Sequence, residues 1–125
     1  MKKPDNVVLV PGSYDTFFRT WFEFLRPFHT LTERECDVAA AFVKLRWELS
    51  HSITDSALLD QVLMSNDSKK KVREMCNITL QHFQVIMSKL KKNNFIVEGK
   101  INPRFIPNIP EDSDSFKLLV YFKLK

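Results

Sequence analysis

The pattern that most constrains this chain lies at residues 68–97, SKKKVREMCNITLQHFQVIMSKLKKNNFIV. Its first part places Val72, Met75 and Cys76 at helical spacing. Its second part repeats apolar residues at the i, i+3, i+4, i+7 offsets of one buried helix face: Phe83, Ile86, Met87 and Leu90. Between them, residues 77–79 supply an apolar plug and a threonine that can cap the next helix. The spacing therefore predicts two short helices joined by a tight turn and followed by a strand.

An aromatic-rich segment at residues 13–26, SYDTFFRTWFEFLR, is predicted to form a helix that ends at Pro27. Its apolar side chains occupy too much of the circumference for one narrow stripe, so the helix needs cover on two sides. Its own domain can provide both sides, or a partner can provide one of them. The partner would be a second copy of the chain or another protein, docking through four aromatic side chains: Phe17, Phe18, Trp21 and Phe22.

Two more helices are predicted between this segment and the opening pattern. Thr32 and Glu35 form a capping box, with Thr32 capping forward and Glu35 reaching back, at the start of a long helix. Residues 54–64 form a further amphipathic helix that is expected to bury Leu58. Ser68 is expected to cap the helix after it.

The end of the chain is predicted to form a hairpin. Residues 95–97 have strand-forming side chains, residues 98–100 are expected to turn the chain, and residues 101–106 can pair back despite a proline. Either segment is expected to pair with residues 116–122, which leaves residues 107–114 as the tip of the hairpin. That tip would carry three acids: Glu111, Asp112 and Asp114.

The order REMCNITLQHFQVIMSKLKKNNFI, followed by the hairpin-like VEGKINPRFIP and SFKLLVYFKLK, resembles the winged helix-turn-helix DNA-binding domains. That family places its recognition helix second and follows it with a two-stranded wing. The resemblance implies a mainly α fold with a small β-hairpin wing and, here, an extra N-terminal aromatic helix. Residues 1–30 would form an N-terminal arm with that helix, and residues 31–125 the winged helix-turn-helix domain.

Positive charge gathers in the half of the chain that holds this pattern. Residues 1–65 carry seven Lys/Arg and nine Asp/Glu, a net charge of −2, whereas residues 66–125 carry twelve and six, a net charge of +6. Such a distribution is expected for a protein that contacts an anionic backbone. A solvated lysine-rich face would have the same composition.

The resemblance also implies which side chains contact double-stranded DNA. The outward positions of the second helix are expected to face base edges: Gln81, Gln84, Val85 and Ser88, with Thr79 and His82 at its start. Cations of the two helices suit phosphates: Lys69, Lys70, Lys71, Arg73, Lys89, Lys91 and Lys92. Lys100 and Arg104 lie on or near the wing, where they could contact an adjacent backbone or minor groove.

The sequence offers little support for an enzyme, and none is predicted. It contains no Ser/His/Asp set, no metal-ligand spacing and only two glycines, which excludes a glycine-rich phosphate loop. Cys36 and Cys76 are predicted to be buried, reduced thiols because no CxxC or Cys/His spacing surrounds them. No metal or cofactor is expected. The N-terminal MKKPDN lacks the apolar stretch of a signal peptide and no apolar run could span a bilayer, so a cytoplasmic location is expected.

Two functions follow from these patterns. The first is sequence-specific or general binding of double-stranded DNA, by a transcriptional regulator or a replication accessory factor. The abundance of Lys, Asn, Ile and Phe is typical of an AT-rich genome, such as that of a phage or other mobile element. The alternative is a winged-helix module that binds protein as a structural component of a larger complex or virion; the aromatic helix and the acidic hairpin tip favour it.

Overall fold

The computed structural model describes residues 12–110, 116–118 and 123–124. Within these residues the chain forms five α-helices and one antiparallel hairpin, a mainly helical fold with a small β element, as the sequence predicts. The elements are α1 (Tyr14–Phe24), α2 (Glu33–Ser50), α3 (Ser56–Leu63), α4 (Asn66–Cys76), α5 (Leu80–Lys92), β1 (Ile96–Val97) and β2 (Lys100–Ile101). Short 3-10 turns follow α1 at Arg26–Phe28 and β2 at Pro103–Phe105. No described helix is long and apolar enough to cross a membrane.

Helix α2 is the centre of the core, and it contacts all four other helices. Thr32 caps its start as predicted, since the Glu35 N–H donates to the Thr32 hydroxyl. The Glu35 carboxylate accepts from that hydroxyl at 2.8 Å and not from the Thr32 backbone N–H, so the reciprocal half of the predicted capping box is not formed. The Asn93 side-chain amide also donates to that carboxylate, so the buried acid is satisfied. Small side chains at residues 39–41 let neighbouring helices approach α2 closely.

Helix α1 belongs to the same core as the rest of the chain. Phe18, Trp21 and Phe22 are buried, and the Trp21 indole N–H donates to the Phe105 carbonyl oxygen at 2.9 Å. The side chain of Phe17 is partly buried against the core. The four aromatic residues proposed as a docking surface are therefore occupied by the chain itself. Among the described residues after Phe22, the large aromatic side chains that stay exposed are those of Phe24 and Phe28. A homodimer or other protein partner stays a prediction.

The predicted cap of α4 is wrong by three residues, and two side chains expected to be buried are exposed. Ser65, not Ser68, caps α4, because the Ser68 N–H donates to the Ser65 hydroxyl at 3.3 Å. Ser68 lies inside the helix, buried, with its hydroxyl donating to the Val62 carbonyl oxygen. Met75 and Leu58, both expected in the core, are 43% and 47% exposed.

The predicted turn within residues 98–100 and the pairing of the segments on either side of it are confirmed, but the hairpin is shorter than predicted. Ile96 pairs with Ile101 and Val97 with Lys100, so the tip is Glu98–Gly99 and not residues 107–114. Both tip residues have positive φ (55° and 75°), the requirement of a tight two-residue hairpin turn. The acidic residues 111–114 lie outside the described residues, as do residues 119–122; the described residues 116–118 are not in a strand.

Candidate nucleic-acid interface

The turn between α4 and α5 is the one that the sequence predicts. Asn77 ends α4 in the left-handed conformation, with φ 51° and ψ 54°. The Ile78 N–H then donates to the Arg73 carbonyl oxygen at 3.3 Å. This is the 6→1 hydrogen bond of a Schellman motif, which ends an α-helix with one residue in the left-handed conformation. Thr79 caps α5 by accepting a hydrogen bond from the His82 N–H at 3.1 Å. Because these backbone groups are satisfied locally, the turn holds the two helices in a defined arrangement.

A groove of about 530 Å³ runs between α4 and α5. Its floor includes the buried side chains of Phe83 and Met87. Four cations line it, three from α4 and one from the last turn of α5: Lys69, Lys70, Arg73 and Lys91. The remaining polar lining comes from Asn66, Gln84 and Ser88, and no described acid contributes to it. The groove suits an anion that also offers some apolar surface.

The outer face of α5 forms a ridge beside this groove. Gln81, Val85, Ser88 and Lys92 follow one another at offsets of four, three and four residues, which places them on a single helix face. All four are exposed. The Ser88 hydroxyl donates to the Gln84 carbonyl oxygen at 3.3 Å, so it offers a partner its acceptor lone pairs. The ridge thus presents an amide, an apolar group, a hydroxyl and a cation in sequence.

Ion pairing divides the cations of the molecule into two groups. Every described cation before α4 is in an ion pair with a carboxylate: Arg19, Arg26, Arg34, Lys44 and Arg46. No cation from α4 onward has an ion pair within the part of the chain that the structure describes: Lys69, Lys70, Lys71, Arg73, Lys89, Lys91, Lys92, Lys100, Arg104, Lys117 and Lys123. The positive charge of the α4–α5 surface is therefore not neutralised by neighbouring described acids.

The structure brings only part of the predicted contact set together. Six predicted residues line the groove: Lys69, Lys70, Arg73, Gln84, Ser88 and Lys91. Lys71, Gln81, His82, Val85, Lys89 and Lys92 are exposed elsewhere on α4 or α5, and the Thr79 hydroxyl is engaged in capping. Lys100 lies beside the hairpin tip. The Arg104 guanidinium lies 5.6 Å from the centre of the Phe105 ring.

Sequence reasoning missed two groove residues, Asn66 and Leu80. Asn66 lies one helical turn before Lys70 and two before Arg73. Reading Ser65 as the cap would have placed Asn66 on that face. Leu80 is 54% exposed and opens the series that continues with Gln84 and Lys91 along the groove.

The two cysteines lie away from this surface, and burial raises the pKa of each thiol to about 11. Both are free, Cys36 buried and Cys76 partly so. At neutral pH they are therefore protonated, which makes them poor nucleophiles and poor metal ligands. The described residues contain no cluster of three or more side chains that could hold a metal ion.

Comparisons with protein-family models, with curated proteins and with solved structures find no match for this chain. Function has to be inferred from the chemistry of the α4–α5 surface.

Proposed function

We propose that this chain is a winged-helix protein that binds double-stranded DNA through α4, α5 and the hairpin. Helix α5 would enter the major groove with its ridge toward the base edges. The groove cations would contact the phosphates of one strand, and Lys100 and Arg104 those of a neighbouring segment. A transcriptional regulator or a replication accessory factor, encoded by a phage or other mobile element, would use such a surface.

The observation that carries this proposal is the contrast between paired and unpaired cations. Ion pairs at a surface stabilise a fold only weakly. A cluster of cations without such pairs destabilises the fold, because the like charges repel one another. On the α4–α5 surface, Lys69, Lys70, Arg73 and Lys91 lie along a single groove, and none of them has an ion pair with a described acid. A polyanion would relieve this repulsion and gain entropy from the counterions it releases.

Duplex DNA fits this surface better than a single strand. Proteins that bind single strands stack successive bases on exposed aromatic rings. Among the described residues, the large exposed aromatic side chains are Tyr14, Phe24 and Phe28, all on α1 or just after it. The exposed face of α5 instead offers amides, a hydroxyl and cations, the groups that read base edges and phosphates in a duplex.

Binding of a random DNA duplex across a salt series, followed by fluorescence anisotropy, tests the proposal. The affinity should fall steeply with salt, because each contacted phosphate adds about 0.9 to the slope of log K against log salt. Changing Lys69, Lys70, Lys71 and Arg73 together to alanine should weaken binding to all sequences. The same change should reduce the slope by about three to four.

Lys44→Ala is the control for a single Lys70→Ala change, because both remove one positive charge. Lys44 lies on α2 and already pairs with Asp15 at 3.1 Å, so its loss should leave the salt slope unchanged. Equal effects of the two changes would mean that net charge, not the α4–α5 surface, drives binding. No binding by the unchanged protein at low salt would contradict the proposed function.

A second candidate is the winged-helix module that binds protein. Phe24 and Phe28, 53% and 52% exposed, favour it because large apolar rings at a surface are common in protein interfaces. If the unchanged protein does not bind DNA, this face beside the end of α1 is where a protein partner should be sought.

A further inference from the structure

The exposed face of α5 carries side chains suited to one class of base pair. Gln81 and Gln84 end in carboxamides, which can pair with adenine through N6 and N7. Between them and Ser88 lies Val85, with 57% of its side chain exposed in the middle of the ridge. An apolar group at such a position can contact the C5-methyl group of thymine, the one apolar feature of the major-groove edge.

The same helix lacks the side chains that best read G·C pairs. Arginine or lysine is the commonest bidentate partner of guanine, and Asp or Glu accepts from the cytosine amine. Helix α5, LQHFQVIMSKLKK, contains no Arg, Asp or Glu. Its cations are three lysines confined to its last turn, and one of them, Lys91, lines the groove with the cations that suit phosphates. The readable part of the helix is therefore biased toward A·T pairs.

The spacing along the ridge allows a glutamine carboxamide and the valine side chain to contact nearby base pairs at the same time. Gln81 and Val85 are four residues apart on one face, which puts their side chains roughly 6 Å from each other. Bases along a strand of B-DNA are about 3.4 Å apart, so the two side chains could reach base pairs about two steps apart.

We propose that α5 selects A·T-containing sites, with Val85 packing on a thymine methyl group while Gln81 or Gln84 pairs with adenine. This selectivity rests on the proposed function, since it needs α5 in the major groove of a duplex. It makes Val85 a determinant of specificity and gives the exposed valine a binding role.

The test compares affinity for three alternating duplex polymers at one salt concentration: poly(dA-dT), poly(dA-dU) and poly(dG-dC). Uracil differs from thymine only by the missing methyl group, so the first two polymers isolate that contact. The unchanged protein should bind poly(dA-dT) most tightly and lose about fourfold in affinity on poly(dA-dU), the effect of one buried methyl group. Val85→Ala should bind these two polymers equally, whereas Val85→Ile should keep the preference.

Leu58→Ala is the matched control, because it removes an exposed apolar side chain from α3, away from the ridge and the α4–α5 groove. It should leave the preference for thymine intact. Salt-sensitive binding that is equal on poly(dA-dT) and poly(dA-dU) would overturn the role of Val85 while leaving DNA binding in place. Absence of binding to all three polymers would overturn both proposals.

Discussion

At the scale of single residues, Trp21 shows how α1 is joined to the rest of the molecule. Its ring is 6% exposed, and its indole N–H donates to a carbonyl oxygen 84 positions further along the chain, that of Phe105. A buried donor and acceptor satisfy each other there, so losing one leaves the other unpaired in the core. Trp21 thus anchors the 3-10 turn after the hairpin to α1.

Trp21→Phe should lower the free energy of unfolding by about 2 kcal/mol, since it leaves the Phe105 carbonyl without its donor and shrinks a core side chain. Urea denaturation measures the change. The control is Phe24→Leu, an exposed position of α1, where a shift within about 0.5 kcal/mol is expected. Similar losses for both variants would show that the hydrogen bond is not what stabilises this junction.

Residues whose hydrogen bonds stay within one helix end could be predicted from the sequence. Thr32 and Thr79 were identified as caps, because each precedes an apolar periodic run and needs only its own helix to function. Burial was harder to predict at the edges of helices. Met75 has helical spacing with Val72, yet it stays 43% exposed, because tertiary packing and not periodicity decides how far a residue at the edge of a helix face is covered.

At the scale of elements, the α4–turn–α5 unit depends on the left-handed backbone of Asn77. Asparagine tolerates this conformation better than most residues, and glycine adopts it without a steric cost. The turn sets the arrangement of the two helices that line the groove, so its stability bears directly on the candidate interface.

Asn77→Ala should destabilise the protein by about 1 kcal/mol, because alanine places a Cβ in a left-handed conformation without compensation. Asn77→Gly should be neutral within about 0.5 kcal/mol or slightly stabilising. Thermal unfolding by circular dichroism distinguishes the two variants. If alanine and glycine behave alike, the φ of 51° at this position is not under steric constraint.

The presence of a hairpin was predicted from the sequence, but the length of its strands was not. Its strands are two residues long, too short for an alternating pattern to define their register. The tip, Glu98–Gly99, also lacks the Asn-Gly or Asp-Gly pair that marks the commonest tight turns. The stronger strand signal at residues 116–122 therefore dominated the prediction, and most of it lies outside the described residues.

At the scale of the whole molecule, an ion-pair network holds α1 against α2. Arg19 contacts Glu23 and Asp37 at 2.6 and 2.8 Å, and Arg26 contacts Glu23 at 2.7 Å and also pairs with Glu33. The hydrogen bonds from Arg26 and then Arg19 lower the pKa of Glu23 from 4.5 to about 2. Charges from three successive segments meet at this point of the surface.

Because the pKa of Glu23 is lower in the folded chain, its contribution to stability is present above pH 4.5 and is lost as the pH falls toward 2. Glu23→Gln should therefore lower the urea midpoint modestly at neutral pH, given the solvent exposure of the network. The difference from the unchanged protein should close between about pH 4.5 and 2. High salt should also reduce it.

Glu48→Gln serves as the control, since this exposed carboxylate of α2 has no ion pair among the described residues. Its urea midpoint should follow that of the unchanged protein at every pH. A Glu23→Gln difference that persists at pH 2 would mean that its effect does not come from charge.

The separation of paired and unpaired cations also gives the described part of the chain an uneven distribution of charge. Every described cation before α4 is paired with a carboxylate, whereas the cations of the α4–α5 surface and the hairpin have no ion pair with a described acid. An uneven charge distribution gives a protein a dipole moment, and the electric field of a polyanion orients that dipole before the two molecules make contact. Under the proposed function, encounters with a DNA duplex should thus begin with the α4–α5 surface facing the duplex, so that orientation is selected during approach and not by repeated collisions.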